Sequence, residues 1–188
     1  MSSLRVSYCL FLVIAVVCCS CGYQLGQGYL PSKYCTISIP YAAGDTTGEL
    51  TATLIREVSR SGGLRYSTHS PELVLAVTII DYCEENIGFR YDMNKDNKRI
   101  DPIIPIEARI TVFAEVIVTE TCSGAIVLGP ARLEASVDFD HDYYYSPNGI
   151  NTISLGQLTD YDVAYDDVQH PLNEALAKKI VYYLTHSW

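Results

Sequence analysis

Between residues 106 and 119 every second side chain is apolar. Ile106, Ala108, Ile110, Val112, Ala114, Val116 and Val118 share one face of an extended chain, while Glu107, Arg109, Thr111, Glu115 and Thr119 take the other. A slip of one residue would turn every charge inward, so the register of this strand is firm. TCSG (121–124) supplies a turn in which Gly124 can take a positive φ. A return strand over 125–139 places Ala125, Val127, Ala131, Leu133, Ala135, Val137 and Phe139 on one face; Pro130 calls for a bulge or an edge position. Upstream, CTISIP (35–40) alternates as a half-buried strand that Pro40 ends, and LVLAVTIIDYC (73–83) begins apolar on both faces, as a strand between layers does.

Two segments change to helical period. In residues 44–63, Leu50, Leu54 and Val58 recur every fourth position with Ile55 beside them. Thr46 and Glu49 read as a capping box that starts this helix, and Gly62-Gly63 stops it. The last segment carries Leu172, Leu176, Ile180 and Leu184 at four-residue spacing, with Pro171 expected in the first turn and Lys178 and Lys179 toward the negative end of the dipole. The order is β-α-β-β-β-α. It predicts an α+β fold, a two-layer sandwich with two helices packed on one face of a small, largely antiparallel sheet.

Ahead of these elements, Arg5 is followed by the apolar run LFLVIAVV (10–17) and small residues. The run is short for a membrane span, which needs about 20 residues, and fits the core of a secretory signal. Ser20-Cys21-Gly22 suits bacterial lipoprotein processing, so residues 1–20 read as the signal peptide and Cys21 as the lipidated terminus. Cys18 or Cys19 as the processed residue, or an uncleaved short anchor, stay open. Residues 21–34, rich in Gly and Tyr, read as a lipid-proximal tether, and 35–188 as a single domain.

The whole chain has a net charge of −9; without residues 1–20, which hold one basic and no acidic residue, it is −10. So acidic a chain repels nucleic acid. Cys35, Cys83 and Cys122 match no zinc spacing and read as buried free thiols in strands. YDMNKDNKRID (91–101) starts like a calcium loop with Asp92, Asn94 and Asp96, but Ile103 stands where the bidentate glutamate belongs. Lys95, Lys98 and Arg99 make this loop the most basic spot on the chain. DFDHDYYY (138–145), followed by Asp160, Asp162, Asp166 and Asp167, forms an acidic, tyrosine-rich tract suited to a contact surface or an ion site. The four histidines lie far apart, and no nucleophile or zinc-protease motif is present. Neither a cofactor nor an enzymatic activity is expected, and no metal ligand is assigned.

CGYQL at the lipidation position, the TISIP strand, and the stretch Leu50, Thr51, Leu54, Arg56, Glu57 give the chain a particular look. In these pieces and in the order of its elements it resembles the LptE family of lipopolysaccharide-assembly lipoproteins. The resemblance implies an outer-membrane lipoprotein on the periplasmic face, anchored to the membrane through its N-terminal lipid. Its partner would be the β-barrel translocon for lipopolysaccharide, which it would plug and help assemble without catalysis. Lys95, Lys98 and Arg99 would be the candidates for contact with lipopolysaccharide or the barrel, since phosphates need Lys or Arg. The alternative is a periplasmic ligand- or ion-binding lipoprotein that uses the acidic tract; an envelope hydrolase has the least behind it.

Overall fold

The computed structural model describes residues 28–93, 96, 99–141 and 161–187. In chain order these form α1 (Tyr29–Lys33), β1 (Thr36–Ser38), α2 (Glu49–Ser61), β2 (Arg65–Tyr66), β3 (Leu73–Met93), β4 (Arg99–Glu120), β5 (Ile126–Asp140) and α3 (Tyr161–His186). The sheet order is β2-β1-β3-β4-β5. β1 runs parallel to both β2 and β3, whereas the long β3-β4 and β4-β5 pairs are antiparallel. Alternation alone explains which face is inside. Leu73, Leu75 and Val77 of β3, Ile110 through Val118 at every second position of β4, and Ala135 of β5 are buried in one cluster. Leu50, Leu54 and Val58 of α2 and Leu172, Leu176, Ile180 and Leu184 of α3 complete it. The predicted α+β architecture, helices backing a largely antiparallel sheet, is the one found.

Several elements differ from expectation, each for a physical reason. Residues 28–34 are part of the fold rather than tether: Leu30 and Tyr34 are buried in the core. α2 starts without a Thr46–Glu49 capping box. Its N-cap is Gly48 in the left-handed region, and the buried Asp45 does the capping. Asp45 Oδ1 accepts from the Gly48 N–H at 2.9 Å, and Oδ2 accepts from the Thr51 N–H at 2.9 Å and the Thr51 hydroxyl at 2.7 Å. Removing such a cap costs about 1–2 kcal/mol. Asp45→Ala is therefore expected to lower the urea midpoint accordingly, while Thr46→Ala leaves it unchanged. Gly62 ends the helix with φ near 69°, as the sequence suggested.

The three cysteines are free but exposed, and only Cys83 lies in a strand. α3 begins at Tyr161, ten residues before Pro171, which sits inside the helix on its exposed side. Burial of Ala164 and Val168, which extend the apolar stripe backward in steps of four, outweighs the missing N–H. The bulge expected at Pro130 is present: register slips between Val116↔Ala131 and Val118↔Leu128, on a strand that is a sheet edge.

Candidate functional site

The largest departure from the sequence reading builds the site. β3 and β4 run on to a pairing of Met93 with Arg99, whereas β5 leaves β4 at Glu107↔Asp140. Beyond that point the hairpin is two strands wide among the described residues. At about 3.3 Å per residue, 88–93 and its partner strand project on the order of 20 Å past the root. Register shifts at Asn86/Gly88 and Gly88/Phe89 mark the root, where bulges bend and twist a strand. Glycine suits position 88, because a Cβ there would lie 2.6 Å from the Glu107 Cβ, an atom fixed by the strand backbone. Pro102 and Pro105 are tolerated in β4 because this stretch has no strand on its β5 side among the described residues.

One face of this arm is apolar and open. Phe89 pairs with Pro105, and Tyr91 with Ile103; residues paired across, and residues two apart along a strand, share a face. Phe89 is 53% exposed, Tyr91 45% and Ile103 54%. These three half-exposed side chains stand together on the projecting element. Lys95 and Lys98, expected as contact residues, lie outside the described residues, as does Cys21. Arg99 opens β4, where its backbone pairs with Met93. Asp96 occupies a turn, and no group of three metal-binding side chains is found among the described residues.

The acidic tract is divided. Asp138 is bound by both arms of the Arg109 guanidinium, at 2.6 and 2.9 Å, which holds its carboxyl below the ordinary range. Asp162, Asp166 and Asp167 stand exposed in the first turns of α3, where negative charge offsets the helix dipole. Asp140 is exposed at the end of β5, and Asp142 and Asp160 lie outside the described residues.

An aromatic cluster that sequence reasoning missed packs at the root of the arm. The Phe139, Tyr161 and His141 rings stand 5.1–6.1 Å apart, with Tyr165 stacked on Tyr161 at 6.1 Å. The Tyr161 hydroxyl donates to Glu84 Oε2 at 2.6 Å, and burial together with this carboxylate pushes its pKa up. His141 is buried, and neither ring nitrogen has a hydrogen-bond partner among the described residues. The cluster ties the end of β5, the start of α3 and the β3 strand together, so the arm rises from a braced base. Its only sequence signal was the spacing Phe139, His141 and Tyr161, Tyr165, which periodicity alone does not connect.

No family model matches the chain, and no curated protein does. Solved structures with a similar course of the chain exist. A minor lipoprotein from Acinetobacter baumannii is 16% identical, with a TM-score of 0.43, over 80% of this chain and 90% of that one. The rare lipoprotein B from Shewanella oneidensis is 14% identical, with a TM-score of 0.41, over 79% and 89%. A hypothetical protein from Chlamydia trachomatis is 11% identical, with a TM-score of 0.42, over 81% and 98%. At these values nothing about function passes from them to this chain.

Proposed function

We propose that this chain is a lipid-anchored protein of the outer membrane, facing the periplasm, that plugs and helps assemble the β-barrel translocon for lipopolysaccharide. The observation that carries the reading is the projecting arm with Phe89, Tyr91 and Ile103 open to solvent together on one face, beyond the core that the sheet buries against α2 and α3. A narrow two-stranded element can enter the lumen of a larger barrel while its helix-backed body stays at the mouth. Lys95, Lys98 and Arg99, three cations within five positions of a sequence of net −9, suit phosphate or an acidic barrel wall. The role is one of binding and assembly and uses no catalytic residue.

The decisive measurement is affinity purification of the tagged chain from detergent-solubilised envelope. A large β-barrel recovered in stoichiometric amount supports the plug. Recovery of no barrel, together with a rise in melting temperature on adding a divalent cation, would instead favour a periplasmic ion-binding lipoprotein. The anchor is tested separately. Cys21→Ala is expected to move the protein from the membrane fraction to the soluble periplasmic one. Membrane retention of that variant would shift the anchor to Cys18, Cys19 or the uncleaved apolar run.

A further inference from the structure

The helix-facing side of the sheet runs out from under its helices. Residues paired across strands share a face, and neighbours along a strand alternate. Tyr82, Glu84 and Asn86 pair with Val112, Ile110 and Ala108, the buried residues that face the helices. Gly88 pairs instead with Glu107, which faces away. Ile87 in β3 and Ile106 in β4 are passed over in this pairing, one on each side of the Gly88 pair. Phe89 and Pro105 therefore return to the helix side, and Tyr91 and Ile103 follow them two residues on. The open face of the arm is the face that carries the core.

Neither helix covers that face along the whole of β3. The turn before α2 is bound to β3 at Val77 and Ile79: the Ala43 N–H donates to the Val77 carbonyl at 2.9 Å, and the Ile79 N–H to the Ala43 carbonyl at 2.8 Å. α2 then runs back toward α1, where Gly63 faces Pro31. α3 starts at Tyr161, whose hydroxyl meets Glu84 at 2.6 Å. Tyr82 is left in the gap, 41% exposed although its partner Val112 is buried. Burial, then Tyr165 of α3 and Asp45 ahead of α2, push its hydroxyl pKa upward. Close by, Ile80 is 49% exposed in the bulge between Ile79 and Asp81. Tyr41, whose ring lies against Gly48 at the start of α2, is 63% exposed.

An aromatic side chain presents about 150–250 Å², so Phe89, Tyr91 and Ile103 at half exposure offer on the order of 300 Å². A stable interface takes about 800 Å² from each partner, of which roughly 450 Å² is apolar. The arm alone falls short. Tyr41, Ile80 and Tyr82 bring the apolar total to on the order of 600 Å². The fringe of this surface selects the partner. Asp162 and Asp166 follow Tyr161 and Tyr165 in α3 and, with Asp167, stand exposed. Such a fringe disfavours anionic headgroups, and a second copy would set like charges against each other.

We propose that Tyr41, Ile80 and Tyr82 at the base and Phe89, Tyr91 and Ile103 on the arm form one surface that seats on the barrel wall from its periplasmic mouth inward, against an apolar strip bordered by Lys or Arg. The proposal rests on the reading of the chain as a barrel plug, and it adds which side of the domain meets the barrel and which residues outside the arm take part. The opposite side of the sheet, with Thr111 and Ser136, stays free.

The test compares the full lipoprotein with Tyr41→Asp/Ile80→Asp, which leaves the arm untouched, and with Ser136→Asp on the opposite face. The double variant should melt close to wild type, as exposed substitutions do, yet recover the barrel roughly tenfold less or worse. Ser136→Asp should recover it fully. A photoreactive phenylalanine in place of Tyr82 should cross-link to the same barrel, and one in place of Ser136 should not. Wild type that recovers the barrel while the double variant does so equally well, with no cross-link from position 82, overturns this surface and leaves the plug standing. Wild type that recovers no barrel overturns the plug and this surface with it. Flotation of the Cys21→Ala chain with phosphatidylglycerol vesicles, or a dimer in light scattering, overturns the proposal in favour of a leaflet or a second copy if Tyr41→Asp/Ile80→Asp abolishes it.

Discussion

Val112→Asp is expected to unfold the domain or to lower its melting temperature by more than any surface change. Val112 is 1% exposed, in the middle of β4, opposite Tyr82 on one side and Ala135 on the other, and faces the layer formed by α2 and α3. A carboxylate there has neither water nor a cation to meet. The cost is about 4 kcal/mol or more, which in a domain of this size corresponds to roughly 10 °C or more. Thr111→Asp, one residue away, points to the other face between Cys83 and Ser136 and should change stability by less than about 1 kcal/mol. Thermal melts followed by far-ultraviolet circular dichroism compare the two. Equal melting temperatures would show that the assignment of faces is wrong.

That pair of residues also shows what was legible in the sequence. Strict alternation over 106–119 named each buried residue of β4 from Ile110 to Val118 correctly, whereas four-residue spacing found the centre of each helix's buried stripe and missed its flanks, Thr51 and Thr53 in α2 and Asn173, Ala177 and Val181 in α3. Where burial is one-sided, the pattern is the fold. Asp45 was harder to see, since a cap can come from three residues before the N-cap whenever the loop folds back. Tyr161 as the start of α3 was hidden by Pro171, although Ala164 and Val168 continue the stripe. The exposed thiols follow from location: Cys35 precedes β1 and Cys122 sits in the β4-β5 turn, where a small apolar residue need not be covered.

The arm was the least legible element. Its sequence, from Glu84 to Pro105, mixes charges, two prolines and a glycine without alternation, because no layer covers it and nothing selects an inside face. Strand formation there comes from the partner strand and from the braced root, both invisible to local pattern. The basic triplet was noticed, yet as a loop between compact strands. Its meaning changes when the strands on either side run on to Met93 and Arg99. Cations in a loop between compact strands are ordinarily solvated, whereas a sequence that joins two projecting strands has a partner to meet wherever those strands enter one.

The second large effect is accordingly expected on association rather than stability. Phe89→Asp/Ile103→Asp places two carboxylates on the exposed face of the arm, where both side chains are about half open to water. The melting temperature should stay close to wild type, since exposed substitutions usually cost within ±0.5 kcal/mol. Buried aromatic anchors at interfaces are worth about 2 kcal/mol or more, so recovery of the barrel from solubilised envelope should fall by a factor of roughly 30. Lys95→Glu/Lys98→Glu/Arg99→Glu separates the two contributions. A loss confined to low salt in this variant assigns the basic end to steering, because exposed charges act only within the screening length. A loss at all salt concentrations assigns it to the seated complex. If wild type recovers the barrel and the Phe89→Asp/Ile103→Asp variant recovers it equally well, the arm is not the contact, and the plug must seat on another face of the domain.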